Sequence, residues 1–188
     1  MYYGKHIILR QLRLSDVDII MEKWNTLELR MTLNDVLPHS REQEEEFIRQ
    51  SWTKIQQKSG YTFAITTQQD EFLGTVGLFD IDQQNQSCEL GIAIHQITQR
   101  GKGFGPDAII TLCGLAFLHL NMNRVQLEYL TTNARGARAY VKAGFTEVGT
   151  KRAAIYRNGK YVDLVQMDIL RDEWMEQFSD EYTLLEQG

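Results

Sequence analysis

Little in this 188-residue chain could cross-link or anchor it. Two cysteines, Cys88 and Cys113, stand in apolar surroundings without CxxC spacing, so neither a disulfide framework nor a redox motif is indicated. Both are expected as buried free thiols. Two prolines and no biased tract leave no disordered linker. No apolar run approaches the roughly eighteen residues of a membrane span, and the first twenty residues hold no apolar h-region. The expectation is a cytoplasmic chain with no membrane partner. The histidines His6, His39, His95 and His119 are scattered without ligand spacing, so no metal is expected. An excess of basic residues is missing too. Formal net charge is −5, which weighs against nucleic acid as a partner.

What remains is an ordinary globular composition, 43% hydrophobic and 24% charged. The length suits one domain, expected over residues 1–174, with residues 175–188 as an acidic tail. A second acidic stretch spans residues 28–46 and holds Glu28, Asp35, Glu42, Glu44, Glu45 and Glu46. Solvated helix faces account for most such clusters, and a cationic substrate is the sharper alternative.

The densest signal is the run Gln99-Arg100-Gly101-Lys102-Gly103-Phe104-Gly105, followed by Pro106 and the apolar stretch Ala108–Leu120. Glycines at alternate positions let the backbone turn tightly and aim several N–H groups at one point. The apolar stretch predicts a helix starting after the loop, with Pro106 in its first turn, where a missing N–H costs nothing. A glycine loop feeding a helix N-terminus is an anion site, and Arg100 and Lys102 add two cations. A mononucleotide P-loop does not fit, because Gly103 is not followed by Lys-Ser/Thr.

Around that loop the pattern alternates between the two regular periods. A first strand is expected near His6–Leu12, then a helix opened by Ser15-Asp16 and carrying Val17, Ile19, Ile20, Trp24 and Leu27. Ser40 and Gln43 form a capping box before a second helix, Arg41 to Lys58, whose buried stripe would be Phe47, Ile48, Trp52 and Ile55. Three strands follow, at Tyr61–Thr67, Phe72–Asp80 and Ser87–His95. After the long helix come a strand at Arg124–Leu130 and a short helix capped by Asn133 and stopped at Gly144. Segments Phe145–Val148, Arg152–Arg157 and Tyr161–Leu170 close the chain as a hairpin around Asn158-Gly159. A helix is expected to begin at Arg171. This order describes an α+β sheet with helices on both faces.

Three segments in this order resemble the core of the GNAT acetyltransferases. They are Cys88-Glu89-Leu90-Gly91-Ile92-Ala93-Ile94, the Arg100–Gly105 loop, and Asn133 through Phe145. The loop follows the family pattern R/Q-x-x-G-x-G/A as Arg100, Gly103 and Gly105. The hairpin and Arg171-Asp172-Glu173-Trp174 are similar to the branch of ribosomal-protein N-terminal and spermidine acetyltransferases. The resemblance runs from Ile7 to Trp174. It implies a mixed, mostly antiparallel sheet of about seven strands, splayed in the middle.

The resemblance also implies roles. Acetyl-CoA is the donor, with Arg100, Gly101, Lys102, Gly103, Phe104 and Gly105 at its pyrophosphate. Its pantetheine arm pairs with the edge of the Glu89–His95 strand at Ile92, Ala93 and Ile94, and a backbone N–H near Ile92 would steady the oxyanion. Asn133 touches pantetheine, and Tyr140, two helical turns on, protonates the departing thiolate. Glu89 is the candidate base for an amine that is only about 0.1% neutral at pH 7. On strict alternation Glu89, Gly91, Ala93 and His95 share one face. Glu28, Asp35 and Glu42 are candidate contacts for the amine.

The expected acceptor is a protein or peptide N-terminus, with a polyamine as alternative. The rival from another class is a coenzyme A-binding sensor without turnover. No cysteine occupies a nucleophile position, so direct attack is expected. A homodimer through the final hairpin is the expected assembly.

Overall fold

The computed structural model describes residues 1–31, 33, 37–95 and 97–180. It opens with β1 (Tyr2–Tyr3) and β2 (Ile8–Gln11), then α1 (Val17–Trp24), α2 (Leu27–Arg30) and α3 (Arg41–Gln57). A meander follows: β3 (Tyr61–Thr66), β4 (Phe72–Asp82) and β5 (Ser87–Ile94). Next come α4 (Phe104–Gly114), β6 (Arg124–Leu130), α5 (Ala134–Lys142), β7 (Thr146–Arg157), β8 (Lys160–Leu170) and α6 (Arg171–Phe178).

One eight-stranded sheet has the order β1-β2-β3-β4-β5-β6-β8-β7. Every neighbouring pair is antiparallel except β5–β6. That parallel pair is joined at only three positions, Ser87 with Arg124, Cys88 with Val125 and Glu89 with Gln126. From Leu90 onward β5 stays paired with β4, Leu90 opposite Leu78 and Ile94 opposite Gly74, while its β6 side opens. The expected splayed, mostly antiparallel α+β sheet is therefore observed, with β1 as the additional strand.

Helices cover both faces. On one side α4 and α6 bury Ile109, Leu112 and Trp174 against Leu78, Leu90, Val125 and Ile169. Trp174 has no exposed surface, and its Nε1 donates to the Ile110 carbonyl at 3.1 Å, which fastens α6 to α4. On the other side α1 and α3 bury Val17, Ile20 and Ile48 against Leu12, Ala64 and Phe72.

Local chemistry explains most boundaries. Ser40 Oγ accepts from the Gln43 N–H at 3.3 Å while Gln43 Oε1 accepts from the Ser40 N–H at 2.7 Å, the expected capping box. Asp16 behaves differently from the expected cap. Its carboxylate is buried, accepts from the Arg13 N–H, and is gripped by Arg10 at 2.8 and 2.9 Å. A single 3₁₀ turn, Leu14–Asp16, leads into α1. The α3 stripe also shifts: Ile48 is buried with Glu44 and Ser51, and Phe47 is exposed. Glu44 can be buried because His39 Nδ1 lies 2.6 Å from its Oε1. The long helix starts earlier than its apolar run suggests, at Phe104, and ends in a wider turn in which the Leu120 N–H reaches the Leu115 carbonyl. The two segments expected before the final hairpin are one strand, β7, carried across two register shifts, with the Ala153 N–H tied to Asp163 Oδ1 at 2.7 Å.

Candidate active site

The splay, the glycine loop and α5 enclose a cleft of about 350 Å³. Its β5 wall is Ile92, Ala93 and Ile94, and its base is Arg100, Gly101, Gly103 and Gly105 with Pro106. Its far wall is α5, including Asn133 and Tyr140. Thus nine of the expected donor-site residues meet around one cavity, although the three segments lie up to 48 positions apart in the chain, from Ile92 to Tyr140.

The loop has the backbone that its glycines allow. Gly101 and Gly103 take φ of 80° and 90°, the left-handed region, and a Cβ built on either would meet nothing within 4 Å. That open space lies beside a helix N-terminus, an arrangement that favours an anion. Pro106 removes one donor of the first turn and leaves the N–H groups of Phe104 and Gly105. Phe104 itself packs its ring against the core, so only its backbone can serve a ligand. Lys102 stands outside the lining and donates to Gln99 Oε1 at 2.8 Å.

Arg100 acts as a strut. Its Nε donates to the Ile94 carbonyl at 3.0 Å and its Nη1 lies 3.3 Å from Glu28 Oε1. Burial, and then the charge of Arg135, hold the guanidinium below its ordinary pKa. Glu28 is thereby placed on the donor side of the cleft, on α2, beside Leu29 in the lining. Glu42 lies exposed in the first turn of α3, its carboxyl lowered by its own backbone N–H and by Ser40. Asp35 lies outside the described residues.

Asn133 caps α5: its Oδ1 accepts from the Gly136 N–H at 2.9 Å, which leaves its Nδ2 to donate elsewhere. A Cβ on Gly136 would come within 2.6 Å of that Nδ2, so the glycine makes room for the folded-over amide. Tyr140 is buried, with its ring 5.6 Å from Tyr129 and 6.5 Å from Phe145. Burial, aided by Tyr129, pushes its phenol up to about 12, so it stays a proton donor at every working pH.

Glu89 is not in the cleft lining. It sits at the last paired position before the splay, on the opposite sheet face from Cys88 and Leu90. Its carboxyl is raised, first by burial and then by Glu128 and Asp80. Glu128 is itself held by Lys151 at 2.5 Å and Gln166 at 2.8 Å. His95, at the end of the same face, lies stacked on Trp24 at 4.9 Å and edge-on to Phe72 at 5.4 Å. Burial, then Arg100, lower its pKa to about 3, so it is neutral packing.

Two features were missed from the sequence. Arg135, Arg138 and Lys142 also line the cleft. Their spacing of three and four is readable as one helix face, although the sequence motif singles out Asn133 and Tyr140 on that helix. A second cavity of about 430 Å³ shares Asn133 with the first and is lined by Met31, Thr132, Arg157, Asn158, Lys160 and Val162. It joins the end of α2 to the β7–β8 turn, where Arg157 Nη2 donates to the Leu33 carbonyl at 2.9 Å. No pattern within either segment announces that meeting.

Comparison with known proteins agrees with this geometry. A family model described as "Acetyltransferase (GNAT) domain" matches residues 6–146. The uncharacterized N-acetyltransferase p20 of Bacillus licheniformis is 25% identical over 173 residues, 92% of this chain and 97% of its own. YdaF of Bacillus subtilis (strain 168), a candidate ribosomal N-acetyltransferase, is 34% identical over 101 residues, 54% of this chain and 55% of its own. Among solved structures, spermidine N-acetyltransferase from Vibrio cholerae, in complex with CoA and spermine, superposes with a TM-score of 0.81 at 25% identity. That match covers 92% of this chain and 99% of the other. Because the family model spans well over half of the chain, the chain belongs to the GNAT acetyltransferases and is an acetyl-CoA-dependent N-acetyltransferase.

Proposed function

We propose that this enzyme acetylates the α-amine of a protein or peptide N-terminus, with acetyl-CoA as donor. The observation that carries the choice of acceptor is the second cavity. It adjoins the donor cleft at Asn133, and its lining among the described residues includes Arg157 and Lys160 but no carboxylate. Such a wall repels a polycation and suits a chain bearing carbonyls. One observation favours the polyamine reading: Glu89, Glu128 and Asp80 gather on the sheet face beside the splay.

In the proposed mechanism the free amine attacks the thioester carbonyl carbon, a C–N bond forms, and the C–S bond breaks. Glu89, its carboxyl raised above the ordinary glutamate range by burial and by Glu128 and Asp80, takes the amine's proton through water from the acceptor side. A backbone N–H of β5 near Ile92 faces the developing oxyanion. Asn133 steadies the pantetheine arm through Nδ2. Tyr140 meets the leaving sulfur as a hydrogen-bond donor. With its phenol at about 12 and a thiol near 8.5, full proton transfer would be uphill by roughly 5 kcal/mol. Its contribution is therefore at most about 10²-fold. Asn133 and Tyr140, both lining the cleft, weigh against a sensor without turnover. The same reading makes it a cytoplasmic enzyme and a homodimer, with the exposed hairpin residues Tyr156 and Tyr161 at the contact.

The test is thiol release from acetyl-CoA across peptides with free and blocked N-termini, polyamines and aminoglycosides. Release with free N-termini alone supports the proposal. Release with polyamines and not with peptides overturns it, and binding of acetyl-CoA without release from any amine supports the sensor.

A further inference from the structure

We propose that the basic face of α5, Arg135, Arg138 and Lys142, is the seat of the 3′-phosphate of coenzyme A, and that the enzyme thereby selects coenzyme A over its dephospho form. The inference rests on the reading of the cleft as the coenzyme A site.

The three cations stand at i, i+3 and i+7, one face of a short helix, and all three line the same cleft as the glycine loop. They are exposed, so their placement is not a by-product of core packing. Neighbours at this spacing are like-charge pairs, which destabilise an isolated helix. Arg135 is also in the first turn, the wrong end of the helix dipole for a cation, and that turn holds no acid.

Several cations elsewhere have an acidic partner: Arg10 has Asp16 and Asp70, Arg41 has Asp18, and Lys151 has Glu128. Among the described residues, Arg135, Arg138 and Lys142 have no such ion pair. With Arg100 they give the cleft four cations, and among the described residues no aspartate or glutamate lines it. Arg100 is already matched by Glu28.

Charge counting then distinguishes two ligands. A pyrophosphate brings two negative charges, for which the loop N–H groups and the α4 N-terminus are the fitted partners. A phosphate monoester adds about 1.5 to 2 more at pH 7, in a group with three acceptor oxygens that guanidinium groups bind in bidentate fashion. Only the ligand with the additional monoester neutralises the α5 face. The face runs about 10 Å along the helix at 1.5 Å per residue, room for a second phosphate beyond the loop. A membrane or nucleic acid is a poor match, since the face lines a concave cleft in a chain of net charge −5.

The experiment is a calorimetric titration of the full chain with coenzyme A and with 3′-dephospho-coenzyme A, repeated on the double variant Arg138→Gln, Lys142→Gln. The wild type is expected to bind coenzyme A roughly tenfold more tightly, equivalent to about 1.4 kcal/mol. Raising the salt should narrow that ratio. In the double variant coenzyme A binding should weaken until the two ligands bind alike, while dephospho-coenzyme A binding changes less than about twofold. Equal binding of both ligands by the wild type, or an unchanged preference in the double variant, overturns the inference. Failure of the cleft assignment would look different, because the wild type would then bind neither ligand. Circular dichroism of the variant checks that α5 is intact.

Discussion

Acidification from pH 7 to 4.5 should cost this fold stability through one residue, His95. The imidazole is 2% exposed, stacked on Trp24 and edge-on to Phe72, and Arg30 lies over the other ring of that stack, 5.0 Å from the Trp24 centroid. Its Nε2 is 3.4 Å from Thr75 Oγ1, and its Nδ1 is buried without a hydrogen-bond partner among the described residues. No carboxylate among them pairs with an imidazolium there, and Arg100 adds repulsion. Burial first, and Arg100 second, lower its pKa from 6.5 to about 3. The folded pKa is depressed, so between about 3 and 6.5 the unfolded chain binds the proton and the folded chain does not. The stabilisation is complete above 6.5 and is lost as pH falls through that window. At pH 4.5 the unfolded histidine is two units below its pKa, which corresponds to about 3 kcal/mol. That is a large share of a stability of roughly 5–15 kcal/mol. Urea unfolding of wild type and His95→Gln at pH 7 and 4.5 measures it. Subtracting the variant removes the carboxylates common to both, including Asp70, held low by Arg10 and Arg13. The wild type should lose about 3 kcal/mol more than the variant over this interval. Parallel losses in the two proteins would refute the reasoning, and His95→Phe supplies the comparison if the glutamine variant does not fold.

On the proposed mechanism, Tyr140→Phe should lower kcat by about 10- to 100-fold and change KM by less than about threefold, as steady-state kinetics would show. Equal losses in both constants would make it a binding group. Glu89→Gln should leave coenzyme A affinity unaltered while erasing the limb of the pH–rate profile on which activity falls as pH drops through a carboxyl raised above the ordinary glutamate range. A profile identical to wild type would dismiss Glu89 as base. Gly103→Glu meets no atom within 4 Å but must adopt a φ of 90°, so the variant should fold with a strain of about 1–2 kcal/mol. Its carboxylate would occupy the phosphate position, and calorimetry should show coenzyme A affinity reduced at least about tenfold. Trp174→Ala should lower stability in urea by about 3–5 kcal/mol, since the indole is fully buried and bonded to α4.

Features written in local chemistry were legible in the sequence. The Ser40–Gln43 box, the Asn133 cap and the Arg124–Leu130 strand appear where short-range rules put them. The glycine loop at a helix start was legible for the same reason, since three glycines before an apolar run leave few alternatives. What escaped depended on partners distant in the chain. Asp16 has the composition of a cap and is instead the counter-ion of Arg10, itself anchored by Asp70 some 60 residues on. Glu28 belongs to an acidic run, and nothing local announces its ion-pair partner Arg100, 72 positions away. Phe47 fits an apolar stripe that tertiary packing rotated by one position to admit the His39–Glu44 pair.

The β5–β6 junction has a mechanical meaning as well as a chemical one. The flanking ladders, β4–β5 and β6–β8, hold seven residue pairs each, while the parallel junction between them holds three. Load applied across the sheet would concentrate at that seam, dividing a five-stranded leaf, β1 to β5, from a three-stranded leaf, β6, β8 and β7. A ligand laid along the open part of the seam would stiffen the molecule by adding rungs between the two leaves. Pulled across this line in a single-molecule experiment, the enzyme should yield at lower force when empty than when loaded, so that its compliance reports occupancy.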